Sequence, residues 1–248
     1  MNERIAALAL GAALTAGLTL FFPPLAHAQT TPAASAGSIK RADLRDEVVS
    51  AEVRHIADWV VHSGDHQRLP FIVVDKMNAR AVAFDRGGRM IASTPVLLGM
   101  GVGDAFAAGV SSLDMNQTKP WQRITPAGRF HAEEDLNLQG ERVLWVDYDN
   151  GIALHKLSPK KTKQRRHERM RSLNPADKRI TYGCVNVPPA FYERVVGGYF
   201  RAQGGFVYVL PDTASLKTVF KSYEVDMGPA VGRMQSSAGQ ALPQTRKF

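Results

Sequence analysis

The sequence predicts a mainly β domain with peripheral helices, on the strength of two hairpin signals and two further apolar runs of strand length. Residues 143–148 and 152–155 flank Asn150-Gly151, the strongest short turn signal between apolar segments. Residues 79–84 and 90–98 flank Asp85-Arg86-Gly87-Gly88 in the same manner. Residues 71–74 (Phe-Ile-Val-Val) begin a β-rich region, and residues 206–210 read as another strand.

The helices come at the margins. Leu44, Val48, Val49, Val53, Ile56 and Val60 recur at three-to-four spacing and predict an amphipathic helix over 42–62. Pro188-Pro189 starts a helix through Phe191, Tyr192, Val195 and Val196, since proline fits a helix's first turn. Asp212 is the expected cap of a last helix through Leu216 and Phe220. Residues 29–40 read as a flexible lead-in rich in Ala, Ser, Thr and Pro, and the chain from about Met227 as a loose tail. The organisation expected is a leader over 1–28, a linker and helix over 29–69, a β-rich domain over 70–212 and a C-terminal helix with tail over 213–248.

The leader follows from the start of the chain. Arg4 precedes an apolar run over 5–22, and Ala26-His27-Ala28 supplies small residues at the positions a signal peptidase reads. Cleavage after Ala28 is expected, with an uncleaved anchor as the alternative and membrane contact confined to this segment. Either way the remainder lies outside the cytosol. That compartment changes the meaning of the single cysteine, Cys184. It has no intramolecular partner, so no internal disulfide and no cysteine-paired zinc site can form. An unpaired exported cysteine is an intermolecular link, a buried inert residue or a reactive thiol.

Its surroundings favour reactivity. Gly183 precedes Cys184, and a residue without Cβ lets backbone N–H groups approach the oxygen of a reacting carbonyl. A thiol also needs a base, because the thiolate is the nucleophile. Among His55, His62, His66, His131, His155 and His167, His155 stands out because it closes the Asn150-Gly151 hairpin at a strand end. His62 and His66 are four apart, but a Ser-Gly pair breaks the helix there, so they are expected at the surface, with no metal.

These residues resemble the L,D-transpeptidase (YkuD-like) catalytic domain of bacterial cell-wall enzymes. That pattern is a histidine on a strand, an interval, then Ser or Thr, a variable residue, Gly, Cys, an apolar residue and Asn or Arg. Here it is met by His155, Thr181, Tyr182, Gly183, Cys184, Val185 and Asn186. A second element, Thr-Pro-x-Gly-x-Phe, is met by Thr125, Pro126, Gly128 and Phe130. The resemblance spans roughly 70–210 and implies a β-sandwich domain. It further implies that Cys184 is the nucleophile and His155 the base, that N–H groups around Gly183 and Cys184 hold the oxyanion, and that Thr181, Tyr182 and Asn186 shape the donor site. Tyr182 stands where many members carry histidine, and Lys156 where a small residue often follows the base. Residues 156–180 make a longer interval than usual.

The charge sits in that interval. The chain carries a net charge of +8, and eight Lys and Arg residues between Lys156 and Arg171 face only Glu168. The basic insert, 156–179, is either a solvated face or a lid that attracts the carboxylates of peptidoglycan stem peptides. No aromatic residue interleaves it, which with export argues against nucleic acid. The resemblance implies cofactor-free acyl transfer in the periplasm: a Cys184 thioester forms with release of a D-amino acid. The acceptor stays open among a stem diaminopimelate, water, a free D-amino acid and a lipoprotein lysine. A hydrolytic variant of the fold and a non-catalytic wall-binding module are the alternatives; a papain-like peptidase would place its cysteine before its histidine.

Overall fold

Alternation along two neighbouring strands divides the apolar side chains between two cores. The computed structural model describes residues 39–106, 117–158 and 162–225. Strand β1 (Phe71–Asp75) runs parallel to β10 (Gly205–Val209) and antiparallel to β2 (Arg80–Phe84). Ile72, Val74, Val207 and Val209 point into one cluster, while Phe71, Val73, Phe206 and Tyr208 point into the other. Both faces of β1 are therefore buried, which accounts for its unbroken apolar run. Each of these side chains stabilises the fold by roughly 1.5–3 kcal/mol relative to exposure.

The remaining strands are β3 (Met90–Pro95), β4 (Leu98–Gly99), β5 (Gly128–Leu136), β6 (Arg142–Asp147), β7 (Ile152–Lys156), β8 (Arg179–Thr181) and β9 (Val185–Val187). Eight strands form one sheet in the order β3-β2-β1-β10-β5-β6-β7-β9, and β4 pairs with β8. The sheet bends back on itself. Leu97, just past edge strand β3, exchanges two backbone hydrogen bonds of 2.9 Å with Asn186 on the opposite edge strand, β9. The mainly β, sandwich-like architecture is thus made by a single sheet closing around its first core. Helix α3 (Pro189–Val195) contributes Phe191, Tyr192 and Val195 to that core. Helices α1 (Ala51–Ser63) and α4 (Leu216–Phe220) cover the second.

Both predicted hairpins are present. The second has a four-residue connection, with Asp147 opposite Ile152 and Gly151 in the left-handed region at φ 68°. Two helix limits differ from expectation. Helix α1 starts only after Ser50, whose Oγ accepts from the Val53 N–H. Ala42 and Leu44 are buried from a non-helical segment that bridges to Arg89, so their spacing reports burial and not helix. Helix α4 is capped by Ser215, not Asp212. The Asp212 side chain is fully enclosed and paired with Lys76 and Arg179 instead.

Among the described residues no helix is long and apolar enough to cross a membrane. The leader over 1–28, most of the lead-in over 29–40 and the tail from Met227 lie outside the described residues.

Candidate active site

Two parallel strands cannot be joined by a tight turn, so the chain leaving β7 must travel before β9 can lie beside it. The long interval after His155 is this crossover. It passes through a short 3₁₀ turn (Thr162–Gln164), helix α2 (Arg166–Arg171), a second 3₁₀ turn (Pro175–Lys178) and β8. Leu157 and Met170 pack with Leu97 and the half-buried Ile180, which ties α2 to the segment that closes the sheet. The resulting register sets Leu154 opposite Val185, His155 opposite Asn186 and Lys156 opposite Val187.

Cys184 stands at the end of the turn between β8 and β9, half-buried. Its Sγ lies 3.5 Å from the Gly151 carbonyl in the β6–β7 connection. The turn is fixed by two threonines. Thr181 Oγ1 donates to the Cys184 carbonyl at 2.7 Å and accepts from the Gly183 N–H at 3.2 Å. Thr125 Oγ1 donates to the Gly183 carbonyl at 2.7 Å and accepts from the Gly99 N–H at 2.9 Å. Gly183 has φ 132°, and a Cβ there would lie 2.7 Å from Ile152 Cδ1 and 2.8 Å from the Ile124 carbonyl oxygen. Only glycine fits both the conformation and the space.

The protonation of His155 follows from its neighbours. Arg166 Nη1 donates to Asn186 Oδ1 at 2.6 Å, and a guanidinium can only donate. The Asn186 amide nitrogen therefore faces His155 Nε2, 2.9 Å away, and donates to it. The other ring nitrogen, Nδ1, is 3.1 Å from the Lys156 carbonyl, which only accepts. His155 is thus the neutral tautomer with its proton on Nδ1.

Beneath the turn is an enclosed ion cluster. Lys76 Nζ, fully buried, donates to the carbonyls of Gly103 at 2.6 Å and Thr125 at 3.1 Å. It also pairs with Asp104 at 3.1 Å and Asp212 at 3.3 Å, while Arg179 of β8 pairs with Asp212 at 2.6 Å. Burial opposes the charge on Asp104, but hydrogen bonds from Thr213, from the backbone N–H groups of Ala214 and Asp212 and from Lys76 outweigh it. They hold its carboxyl well below the usual range. The cluster joins β8 and the Thr125 segment, the two supports of the Cys184 turn.

Asn186 meets His155, and Thr181 and Gly183 shape the turn that carries Cys184, but several of the sequence-predicted residues have other duties than expected. Thr181 is 2% exposed and Asn186 is fully buried, so neither lines a substrate surface. Thr181 shapes the turn and Asn186 holds His155. The Gly183 N–H, expected to face an oxyanion, is bonded to Thr181 Oγ1. Tyr182 is half-buried with the Arg123 guanidinium 3.9 Å above its ring, a cation–π contact. His66 is buried, its ring nitrogens facing the carbonyls of Val60 and Arg86, and not at the surface as expected. Among the described residues no group of three His, Cys, Asp or Glu is placed to hold a metal ion.

The basic insert is not a uniformly solvated face. Lys156 pairs with Glu193 at 2.9 Å and Arg165 with Glu168. Arg169 donates to the carbonyls of Gln164 and Asp177, and Arg166 is 4% exposed. Lys160 and Lys161 lie outside the described residues. Sequence reasoning missed Arg166, because a run of like charges gives no sign of which member turns inward. It also missed Lys76, a lone cation after an apolar strand.

No family model matches the sequence, and no curated protein matches it. Solved structures with similarity to the chain include the L,D-transpeptidase from Xylanimonas cellulosilytica, at 15% identity and a TM-score of 0.38 over 57% of this chain and 60% of that one. The catalytic domain of the E. faecium L,D-transpeptidase is 16% identical with a TM-score of 0.36, over 56% of this chain and 95% of that one. The helical cell shape determining protein Pgp2 from Campylobacter jejuni is 14% identical with a TM-score of 0.38, over 59% of this chain and 49% of that one. The chain thus spans less than two thirds of the first and third of these proteins. Similarity at this level leaves the chemistry of the site to be judged on its own residues.

Proposed function

We propose that this chain is an exported L,D-transpeptidase of the periplasm, acting on peptidoglycan stem peptides with Cys184 as nucleophile. The observation that carries the reading is the β7–β9 register. It brings His155 into the ladder beside Asn186, two residues from a cysteine presented on a turn that only glycine can make. A thiol on a turn held by three side-chain hydrogen bonds is pre-positioned for attack, which is where much of the advantage of covalent catalysis arises.

In this reading the Cys184 thiolate attacks the carbonyl of the L,D bond preceding the terminal D-residue of a tetrapeptide stem. A C–S bond forms, the C–N bond breaks, and the leaving amine takes a proton and departs as a D-amino acid. An amine then attacks the thioester and restores the thiol. A second stem's diaminopimelate gives a cross-link and a lipoprotein lysine an anchored lipoprotein. Water as acceptor makes the enzyme an L,D-carboxypeptidase.

A second reading has its own support. The Gly183 N–H is bonded within the turn and His155 Nε2 is bonded to Asn186, which also suits a wall-binding module that does no chemistry. Incubating the purified protein with disaccharide-tetrapeptide and resolving the products by mass spectrometry separates the two. Loss of the terminal D-amino acid, absent with Cys184→Ala, supports the enzyme, and the product mass identifies the acceptor. Unchanged muropeptides with retained binding to sacculi would establish the module.

A further inference from the structure

We propose that the Arg123 guanidinium binds a carboxylate of the donor stem peptide, which makes Arg123 a specificity-determining residue of the site. This deepens the reading of Cys184 as nucleophile and rests on it.

The first observation is where Arg123 stands. It heads a three-residue segment that runs along the Cys184 turn. The Ile124 carbonyl oxygen lies 2.8 Å from the place a Gly183 Cβ would take, and Thr125 Oγ1 donates to the Gly183 carbonyl at 2.7 Å. The Arg123 carbonyl accepts from the Gly101 N–H at 3.0 Å, while the neighbouring Met100 N–H donates to the Thr181 carbonyl at 3.1 Å. The side chain then reaches Tyr182, with Cζ 3.9 Å from the ring centroid. The segment and the side chain therefore meet Gly183 and Tyr182, the two residues that precede Cys184.

The second observation is that its charge has no anion. Arg123 is half-buried, and among the described residues it forms no ion pair. The other cations around the turn are engaged. Lys76 and Arg179 share Asp212, and Lys156 is paired with Glu193. Arg166 is enclosed against Asn186 and Gln164. Arg123 bonds only to neutral atoms. Its Nε and Nη2 donate to the Thr118 carbonyl at 3.2 and 2.7 Å, Nε also lies 3.3 Å from Thr118 Oγ1, and Nη1 donates to Met100 Sδ at 3.3 Å. A guanidinium carries five N–H groups, so one on Nη1 and one on Nη2 remain after these bonds.

Paired N–H groups on a planar guanidinium match the two oxygens of a carboxylate, which also supplies the missing negative charge. The Met100 thioether is a weak acceptor and yields to such a ligand. The contact with the Tyr182 ring meanwhile holds the cation in place without using its donors. In the proposed reaction both residues flanking the scissile bond carry a carboxylate. One is the α-carboxylate of the terminal D-residue, and the other belongs to the side chain of the diaminopimelate before it. Holding either one fixes the carbonyl between them relative to the turn that presents the thiol.

A purely structural duty, joining Thr118 to Tyr182, would affect every donor alike, whereas anchoring appears as selectivity. The test is the kinetics of leaving-amine release from three tetrapeptide donors, in the wild type and in Arg123→Gln. One donor is the free acid, one is amidated at the terminal carboxyl, and one is amidated at the diaminopimelate side chain. One of the two amidations should raise the wild-type KM by roughly tenfold to a hundredfold with kcat little changed, and it identifies the carboxylate that is held. In Arg123→Gln the KM for the free acid should rise to match, and that amidation should no longer matter. A wild type that treats the three donors alike, or an Arg123→Gln that still distinguishes them, overturns this proposal and leaves the nucleophile standing. No release from any donor by the wild type overturns both. Should Arg123→Gln not fold, phenylglyoxal modification of Arg123 in Cys184→Ala decides. The free-acid donor should protect Arg123 and one of the amidated donors should not; equal protection by all three, or none by any, would overturn the assignment.

Discussion

Asn186 stands opposite His155 in the parallel β7–β9 ladder and donates its amide N–H to His155 Nε2 at 2.9 Å. The same amide accepts from the enclosed Arg166 on its oxygen, so one fully buried side chain connects a cation to an imidazole. The Arg166–Asn186 bond is buried and the Asn186–His155 bond partly so.

Replacing that amide with a similar volume of hydrocarbon leaves a guanidinium short of an acceptor. Asn186→Leu should lower the unfolding free energy by about 1.5–3 kcal/mol, the usual effect of losing a buried bond to a charged group. Urea unfolding monitored by tryptophan fluorescence reads this directly, and an unchanged midpoint would mean that Arg166 finds another partner.

Thr125 is the other hinge of the site. Its hydroxyl is completely enclosed and bridges the Gly99 N–H and the Gly183 carbonyl. Thr125→Val keeps the shape and strands both backbone groups, at a cost of about 1–3 kcal/mol. Thr125→Ser should restore most of the stability and, with it, the reactivity of Cys184; if Ser and Val behave alike, the hydroxyl does not hold the turn.

Gly183→Ala meets two obstacles, a φ of 132° and contacts below 3 Å to Ile152 and the Ile124 carbonyl. The strained backbone alone costs on the order of 1–3 kcal/mol. Thermal unfolding should shift down by several degrees, and the rate of Cys184 alkylation at a fixed pH should change as the thiol leaves its setting. Wild-type unfolding and reactivity in this variant would show that the turn tolerates a side chain.

The ion cluster predicts an acid limb to the stability curve. The Asp104 carboxyl is held below its ordinary value in the folded protein and regains that value of about 3.8 on unfolding. Below about pH 4 the unfolded chain therefore binds a proton that the folded one does not, and stability falls as pH falls. Urea midpoints between pH 5 and 2.5 should drop for the wild type, and the drop should be shallower for Asp104→Asn. Equal slopes would place the acid sensitivity in other carboxylates.

Much of this was legible in the sequence, for reasons that differ by element. The hairpins around Gly88 and Gly151 rest on turn chemistry, which is local, and they appear where the sequence predicts them. Strand β1 was legible because burial on both faces leaves an unbroken apolar run. The start of α1 was not, since Leu44 is buried from a non-helical segment and periodicity registers burial alone. Within the site, Gly183, Cys184 and His155 are marked by residue type. Thr181 and Asn186 were found with the wrong duties, because a pattern of residues does not say which side chains face inward. Arg166 was hidden among eight basic residues, and only the crossover from β7 to β9 turns it into the site.

The central claim is that Cys184 forms a thioester with a stem peptide. Intact-mass spectrometry of the protein quenched in acid after brief exposure to a tetrapeptide donor tests it most directly. The expected result is an added mass equal to the donor less its terminal D-amino acid, located on Cys184 by digestion and absent in Cys184→Ala. A protein that stays at its unmodified mass under these conditions, while Cys184 remains open to iodoacetamide, would contradict it.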